Sequence, residues 1–208
     1  MYTLHYTPGS CSLIIHILLE ELEIPFQVEK ADSKSSAYRT RVNPKGKVPA
    51  LATPQGIITE CVAILEYLCD HHGGGKLLGA PGSWERARTL ERIATLATEI
   101  HPLFNRFFHE DDFSASKEVQ AGVKLRGTEK LLAWFREQDA ALKGPYWSGG
   151  NAPDASDIYF MVMARWGRWL APPANEMPNI RPFYERMIAR PPVARAMQRE
   201  GIKAFGTA

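Results

Sequence analysis

The sequence predicts an N-terminal α/β domain of βαβ-ββα order followed by an all-α domain. Short segments that are β-branched or strictly alternating occur only within the first 60 residues, whereas from Ser83 onward apolar residues recur at three and four. A stretch carrying Gly79, Pro81 and Gly82 lies between the two patterns, as a linker would.

Tyr2-Thr3-Leu4-His5-Tyr6 is rich in aromatic and β-branched residues and is stopped by Pro8-Gly9, so it reads as a strand. The apolar run from Leu13 to Leu22 follows as a helix. Pro25 separates that helix from Phe26-Gln27-Val28-Glu29-Lys30, whose alternation marks a half-buried strand. Val48 to Ala52 and Gly56 to Thr59 flank the turn Thr53-Pro54-Gln55-Gly56 and read as a hairpin. A helix from Cys61 to His72, with Val62, Leu65 and Leu68 on one face, ends at Gly73-Gly74-Gly75. The expected domains are residues 1–76 and 83–208.

In the second domain Leu90, Ile93, Ala94, Ala97, Ile100 and Phe104 form the stripe of a buried amphipathic helix, which Pro102 is expected to kink. Further helices are expected over about Ser116–Leu142, Asp154–Leu170, Pro178–Ala189 and Pro192–Glu200. Asp154-Ala155-Ser156-Asp157 has the form of a helix-capping motif whose role is folding. Arg165-Trp166 lies in the helix that follows.

Among the 208 residues, 45% are hydrophobic and 23% charged, the profile of a globular protein rather than a disordered one or a coiled coil. Lys and Arg number 25 against 23 Asp and Glu, and no long run of like charge occurs, so no nucleic-acid groove or membrane-surface patch is expected. Leu13–Leu22 is too short to span a bilayer and is not preceded by a basic segment; a cytoplasmic protein without membrane partners is expected. The three cysteines, Cys11, Cys61 and Cys69, contain no Cys-x-x-Cys pair and read as reduced thiols. His5, His16, His71, His72 and His109 lack ligand-like spacing, so no metal is expected.

The chemistry is concentrated in Tyr6-Thr7-Pro8-Gly9-Ser10-Cys11-Ser12, Asn43-Pro44-Lys45-Gly46-Lys47-Val48-Pro49-Ala50-Leu51 and Ile58-Thr59-Glu60-Cys61-Val62-Ala63-Ile64. They offer a polar helix start with a thiol, an extended backbone edge, and an acid able to hold an amino group. The partial positive charge of a helix start favours thiolate at Cys11. With Val-Pro before a hairpin and Glu-x-x-x-Ile after it, the chain resembles the cytosolic glutathione S-transferases over essentially its whole length. The cysteine at the head of the first helix, Asn43 to Pro49, and Ala63-Ile64-Leu65-Glu66-Tyr67-Leu68 make it most similar to the bacterial beta class.

The resemblance implies a thioredoxin-like first domain that binds glutathione as co-substrate, without a further cofactor, and a helical domain that takes a small hydrophobic electrophile. It implies catalytic roles for Cys11, Ser12, Tyr6 and His101, and a glutathione site built from Val48, Pro49, Glu60, Cys61 and Ser10, with the Val48-Pro49 bond cis. Asn105 and Phe108 are expected in the electrophile pocket, and a homodimer is expected as the assembly. Position 61 departs from the usual serine or threonine, and because a thiol is a weaker hydrogen-bond donor, weakened glutathione binding is expected. Pro102 stands where many beta-class relatives carry a lysine. Position 14 is Ile14, so the second cysteine of a thioredoxin-type cycle is missing and glutathione itself is expected to resolve any disulfide at Cys11. The alternative reading is a non-catalytic binding or scaffold protein on the same fold.

Overall fold

The computed structural model describes residues 1–203; the last residues of the expected second domain, 204–208, lie outside the described part. The chain folds as a thioredoxin-like unit with a four-stranded mixed sheet, followed by helices alone. Strand β1 (Tyr2–Tyr6) pairs in parallel with β2 (Phe26–Lys30) and antiparallel with β3 (Ala50–Thr53), which pairs antiparallel with β4 (Gly56–Thr59), in the order β2-β1-β3-β4. Helix α1 (Ser12–Glu21) makes the β1-to-β2 crossover and α3 (Cys61–His72) follows β4.

One element is absent from the sequence expectation. A short helix, α2 (Ser36–Arg41), lies between β2 and β3, capped by the Ser35 hydroxyl accepting from the Tyr38 N–H. It is short and polar, with only Tyr38 buried, so it leaves no apolar stripe to read. On α3 the buried side is Ile64, Leu65 and Leu68 together with Cys61 and Cys69, while Val62 is half-buried.

The chain divides into two compact units: Met1–Ala87 with the described residues from Ile188 on, and Arg88–Met187. The last helix, α9 (Pro191–Glu200), therefore packs in the first unit, against α1. The reason is on α1, all ten residues of which are buried, including His16, Glu20 and Glu21. Buried carboxylates need partners, and α9 with its N-cap supplies them. Arg190 pairs bidentately with Glu21 at 2.8 Å, Arg195 and Arg199 reach Glu20 at 2.7 and 2.9 Å, and Glu200 accepts at 2.9 Å from His16 Nδ1.

Helix α4 (Trp84–Thr95), which belongs to the other unit from Arg88 on, passes through a π turn at Leu96–Ile100 into α5 (His101–Phe108), so the interruption falls just before Pro102. Proline lacks the N–H that a continued α-helix would use, and a π turn accommodates the loss. The buried line is Thr89, Ile93, Leu96, Ile100 and Phe104, and Ala94 lies beside it, exposed. Helices α6 (Lys117–Ala141), α7 (Ala155–Trp166) and α8 (Ile180–Ile188) complete the elements that this unit needs. No helix among the described residues is long and apolar enough to cross a membrane.

The capping motif forms as a full capping box: Asp154 accepts from the Ser156 and Asp157 N–H groups, and Asp157 accepts from the Asp154 N–H at 2.9 Å and the Ser148 N–H at 3.0 Å. Burial, then the neighbouring Asp154 charge, raises the Asp157 carboxyl from 3.8 to about 6. Asp157→Ala removes two acceptors of backbone N–H groups and should lower the unfolding free energy by about 2–4 kcal/mol, measured by urea denaturation. Because the folded value lies above the unfolded one, wild type loses stability through this group as pH rises from about 4 to about 6. The variant lacks that slope, so the stability gap should narrow across the window; a gap that widened would refute the assignment.

Candidate functional site

The first unit carries a thiol-centred site assembled from three chain segments. The loop from Thr7 to Cys11 leads into α1, and its shape is set by two hydroxyls. Ser12 Oγ donates to the Thr7 carbonyl at 3.2 Å, accepts from the Thr7 N–H at 3.2 Å, and takes the Ser10 hydroxyl at 2.8 Å, while Ser10 Oγ accepts the Ser12 N–H at 3.2 Å. The Gly9 N–H donates to Glu200 Oε2 at 2.8 Å, so the loop is also fastened to the end of α9.

Ser12, expected to donate toward a sulfur, is fully buried with its hydroxyl engaged inside this loop. Tyr6, expected at the mouth, has its ring buried edge-on to His16 at 6.0 Å between centroids. Ser10 shares the Ser12 network. These residues shape the loop, and the group they leave at the mouth is Cys11, which is only partly buried.

Cys11 is the N-cap residue of α1, and its thiol donates to the Val48 carbonyl at 3.3 Å. The Val48-Pro49 bond is cis, as the resemblance implied. Val48 is brought there by a pinned loop: the Lys47 carbonyl accepts from Tyr38 Oη at 2.9 Å and Asn43 Nδ2 at 2.8 Å, and Gly46 adopts φ +61°. A Cβ at Gly46 would meet the Ser33 carbonyl oxygen at 2.7 Å, so glycine is required by space as well as by backbone conformation.

The third segment is the start of α3. Glu60 holds φ +72° and ψ 124°, outside the conformations that side-chain-bearing residues prefer, which is strain of the kind kept at functional sites. Its carboxylate pairs with Lys45 Nζ at 2.8 Å, both side chains about two-thirds exposed. Lys45 was not among the expected site residues; the signal was its place in the Asn43–Pro49 segment. Cys61 is buried and donates to the Cys11 carbonyl at 3.5 Å. Its thiol is held well above the ordinary range, first by a hydrogen bond with the Cys11 side chain, then by burial, then by the charges of Cys11 and Glu60.

The remaining expected residues belong to the other unit. His101 opens α5, with Nδ1 3.1 Å from Tyr159 Oη and its ring 5.0 Å from that of Trp166. Phe108 stacks on Phe104 and, with Phe107, Glu110, Lys124 and Trp169, lines a surface cavity of about 500 Å³. Asn105 is exposed and is not among the residues lining that cavity. Among the described residues no cluster of three or more His, Cys, Asp or Glu side chains could hold a metal ion.

These three segments lie on a thioredoxin-like unit, and comparison with known proteins places that unit in a family. Residues 9–71 match the model of the glutathione S-transferase N-terminal domain. Glutathione S-transferase GstA of Escherichia coli O157:H7 is 34% identical over 206 residues, spanning 96% of this chain and 99% of the relative. A bacterial beta-class glutathione S-transferase of Sphingomonas chungbukensis superposes with a TM-score of 0.84 at 31% identity, covering 97% of this chain and all of that one. A sphingomonad glutathione S-transferase complexed with glutathione gives a TM-score of 0.82 at 33% identity, over 97% of this chain and 100% of its own. The chain belongs to the cytosolic glutathione S-transferase superfamily of enzymes.

Glu200 is the group whose removal tests how the loop is held. Glu200→Ala takes away an acceptor from both the Gly9 N–H and the buried His16, and should cost about 2–4 kcal/mol of stability in urea denaturation. It should also change the rate at which Cys11 is alkylated in the folded protein. Unchanged stability and unchanged alkylation would show that the loop does not depend on α9.

Proposed function

We propose that the protein conjugates reduced glutathione to small hydrophobic electrophiles and also carries out glutathione-dependent thiol–disulfide exchange at Cys11. The observation that carries the reading is the Cys11 thiol at the head of α1, 3.3 Å from the Val48 carbonyl. A peptide thiol laid along Val48 as an antiparallel partner exchanges backbone hydrogen bonds with it, and this brings its sulfur to Cys11.

Glu60 takes the γ-glutamyl ammonium group in this reading. Releasing it from Lys45 costs little, because an exposed ion pair contributes only about 0–1 kcal/mol, and the freed lysine can meet a carboxylate of the peptide. Residues 1–76 form the glutathione domain and residues 83–208 supply the electrophile pocket, with the Phe108 cavity as its candidate wall. Asn105 is the weaker pocket candidate, being outside that lining. His101 serves as the donor from the helical domain, and Tyr6 and Ser12 act by shaping the first helix and its loop. The working assembly is a homodimer, for which exposed apolar side chains such as Trp84, 74% exposed, provide a surface; a monomer at all concentrations in sedimentation equilibrium would refute it.

Calorimetric titration of reduced glutathione should show saturable binding of at least about −4 kcal/mol, that is, a Kd near millimolar or tighter. Cys11→Ser should abolish reduction of glutathione mixed disulfides while keeping that binding, and His101→Ala should lower the conjugation turnover. Retained reductase activity in Cys11→Ser would remove the exchange reaction. A folded protein that binds no glutathione would leave the scaffold reading, which Cys61 and Pro102 favour.

A further inference from the structure

We propose that Cys61 is the resolving thiol of Cys11: it displaces glutathione from a Cys11 mixed disulfide by forming a Cys11–Cys61 disulfide. The proposal rests on the reading that Cys11 undergoes exchange with glutathione disulfides, and it replaces the expectation that a second glutathione must resolve the adduct. That expectation followed from Ile14, which excludes a partner within one turn of α1. The fold supplies the partner from another helix.

The geometry is a pair of thiols at two converging helix starts. Cys61 is the first residue of α3 and Cys11 the cap of α1, and the Cys61 thiol donates to the Cys11 carbonyl oxygen at 3.5 Å. A Cys11–Cys61 disulfide requires the two sulfurs to come to the bonding distance of about 2.0 Å. Cys69 cannot take this part. It lies eight residues further along the same helix, about 12 Å at 1.5 Å per residue, and burial with the nearby Asp70 charge pushes its thiol up to about 12.

The chemistry balances with a glutathione disulfide as the only oxidant. The Cys11 thiolate attacks a sulfur of the disulfide, forming Cys11–S–S–glutathione and releasing a thiolate. Cys61 then attacks Cys11 Sγ; the Cys11–glutathione bond breaks, the Cys11–Cys61 bond forms, and the Cys61 proton leaves with the departing glutathione. Two further glutathione thiols reduce the internal disulfide to the dithiol and become oxidised glutathione.

The resting environment orders these steps. When Cys11 ionises, its charge adds to the burial and the Glu60 charge that keep Cys61 protonated. Once Cys11 is in a mixed disulfide its charge is gone, and of the raising influences burial and Glu60 remain. Cys61 becomes easier to ionise only after there is an adduct to resolve.

Wild type, Cys61→Ser and Cys69→Ser are exposed to oxidised glutathione, quenched in acid, alkylated and mapped by mass spectrometry without reduction. Wild type and Cys69→Ser should accumulate the Cys11–Cys61 linked peptide and lose the glutathione adduct, whereas Cys61→Ser should keep glutathione on Cys11. The proposal is overturned if wild type holds the adduct as long as Cys61→Ser does, or if the linked peptide contains Cys69. If neither wild type nor Cys61→Ser ever acquires glutathione at Cys11, the exchange reading itself falls and takes the proposal with it. Cys61→Ala, and the linked peptide in wild type itself, provide the same readout should the serine variant misfold.

Discussion

Helix α1 is buried on every side, and that constraint organises the first unit. A helix with no solvent face must find an internal partner for its polar groups, and beyond its first turn α1 carries three such residues: His16, Glu20 and Glu21. Leaving one carboxylate unpaired there would cost several kcal/mol. The chain meets the demand from its far end, where Arg190, Arg195, Arg199 and Glu200 converge on α1. The Glu20 carboxyl shows which effect wins: burial pushes it up, but Arg195 and Arg199 together hold it below its ordinary value. Attraction therefore exceeds desolvation at that site, and its stabilising contribution is present above about pH 4.5 and fades on acidification.

The same contacts reach the chemistry. Glu200 touches both His16, inside α1, and the Gly9 N–H, two residues before Cys11. The loop between them is closed by Ser10 and Ser12, whose hydroxyls satisfy backbone groups that the turn would otherwise leave buried and unbonded. A mouth built in this way fixes the Cys11 backbone, and the thiol adds its own bond to the Val48 carbonyl. The Val48 edge is fixed likewise, by Tyr38 and Asn43 holding the Lys47 carbonyl.

What was legible in the sequence follows from range. The bounds of β1, β2, β4 and α3 are readable because alternation and Pro or Gly punctuation are properties of neighbouring residues. The short helix α2 is not, since its six residues bury only Tyr38 and only the Ser35 cap betrays it. On α4 the apolar count includes Ala94, which is exposed, because a small apolar side chain at the margin of the stripe has the same spacing whether or not it is covered. Likewise Ser12 reads as a donor beside a thiol until the Thr7 carbonyl is seen to occupy it. Least legible of all is the function of His16, whose partner Glu200 lies 184 residues away.

Position 61 brings these threads together, because a single atom exchange there acts on two properties at once. In the proposed site, sulfur for oxygen would weaken one hydrogen bond to the peptide, a loss of about 1 kcal/mol or roughly fivefold in affinity. The same sulfur sits beside the Cys11 carbonyl and gives the site a second thiol. The two consequences differ in kind. A fivefold weaker site is refilled by a fivefold higher ligand concentration, whereas a missing intramolecular nucleophile is replaced only by waiting for a second thiol to arrive from solution. An internal thiol is present at a high effective concentration whenever the adduct forms. The exchange at position 61 therefore costs the enzyme something that concentration restores and supplies something that concentration restores poorly, and this asymmetry favours a redox role for Cys61 over a merely damaged binding site.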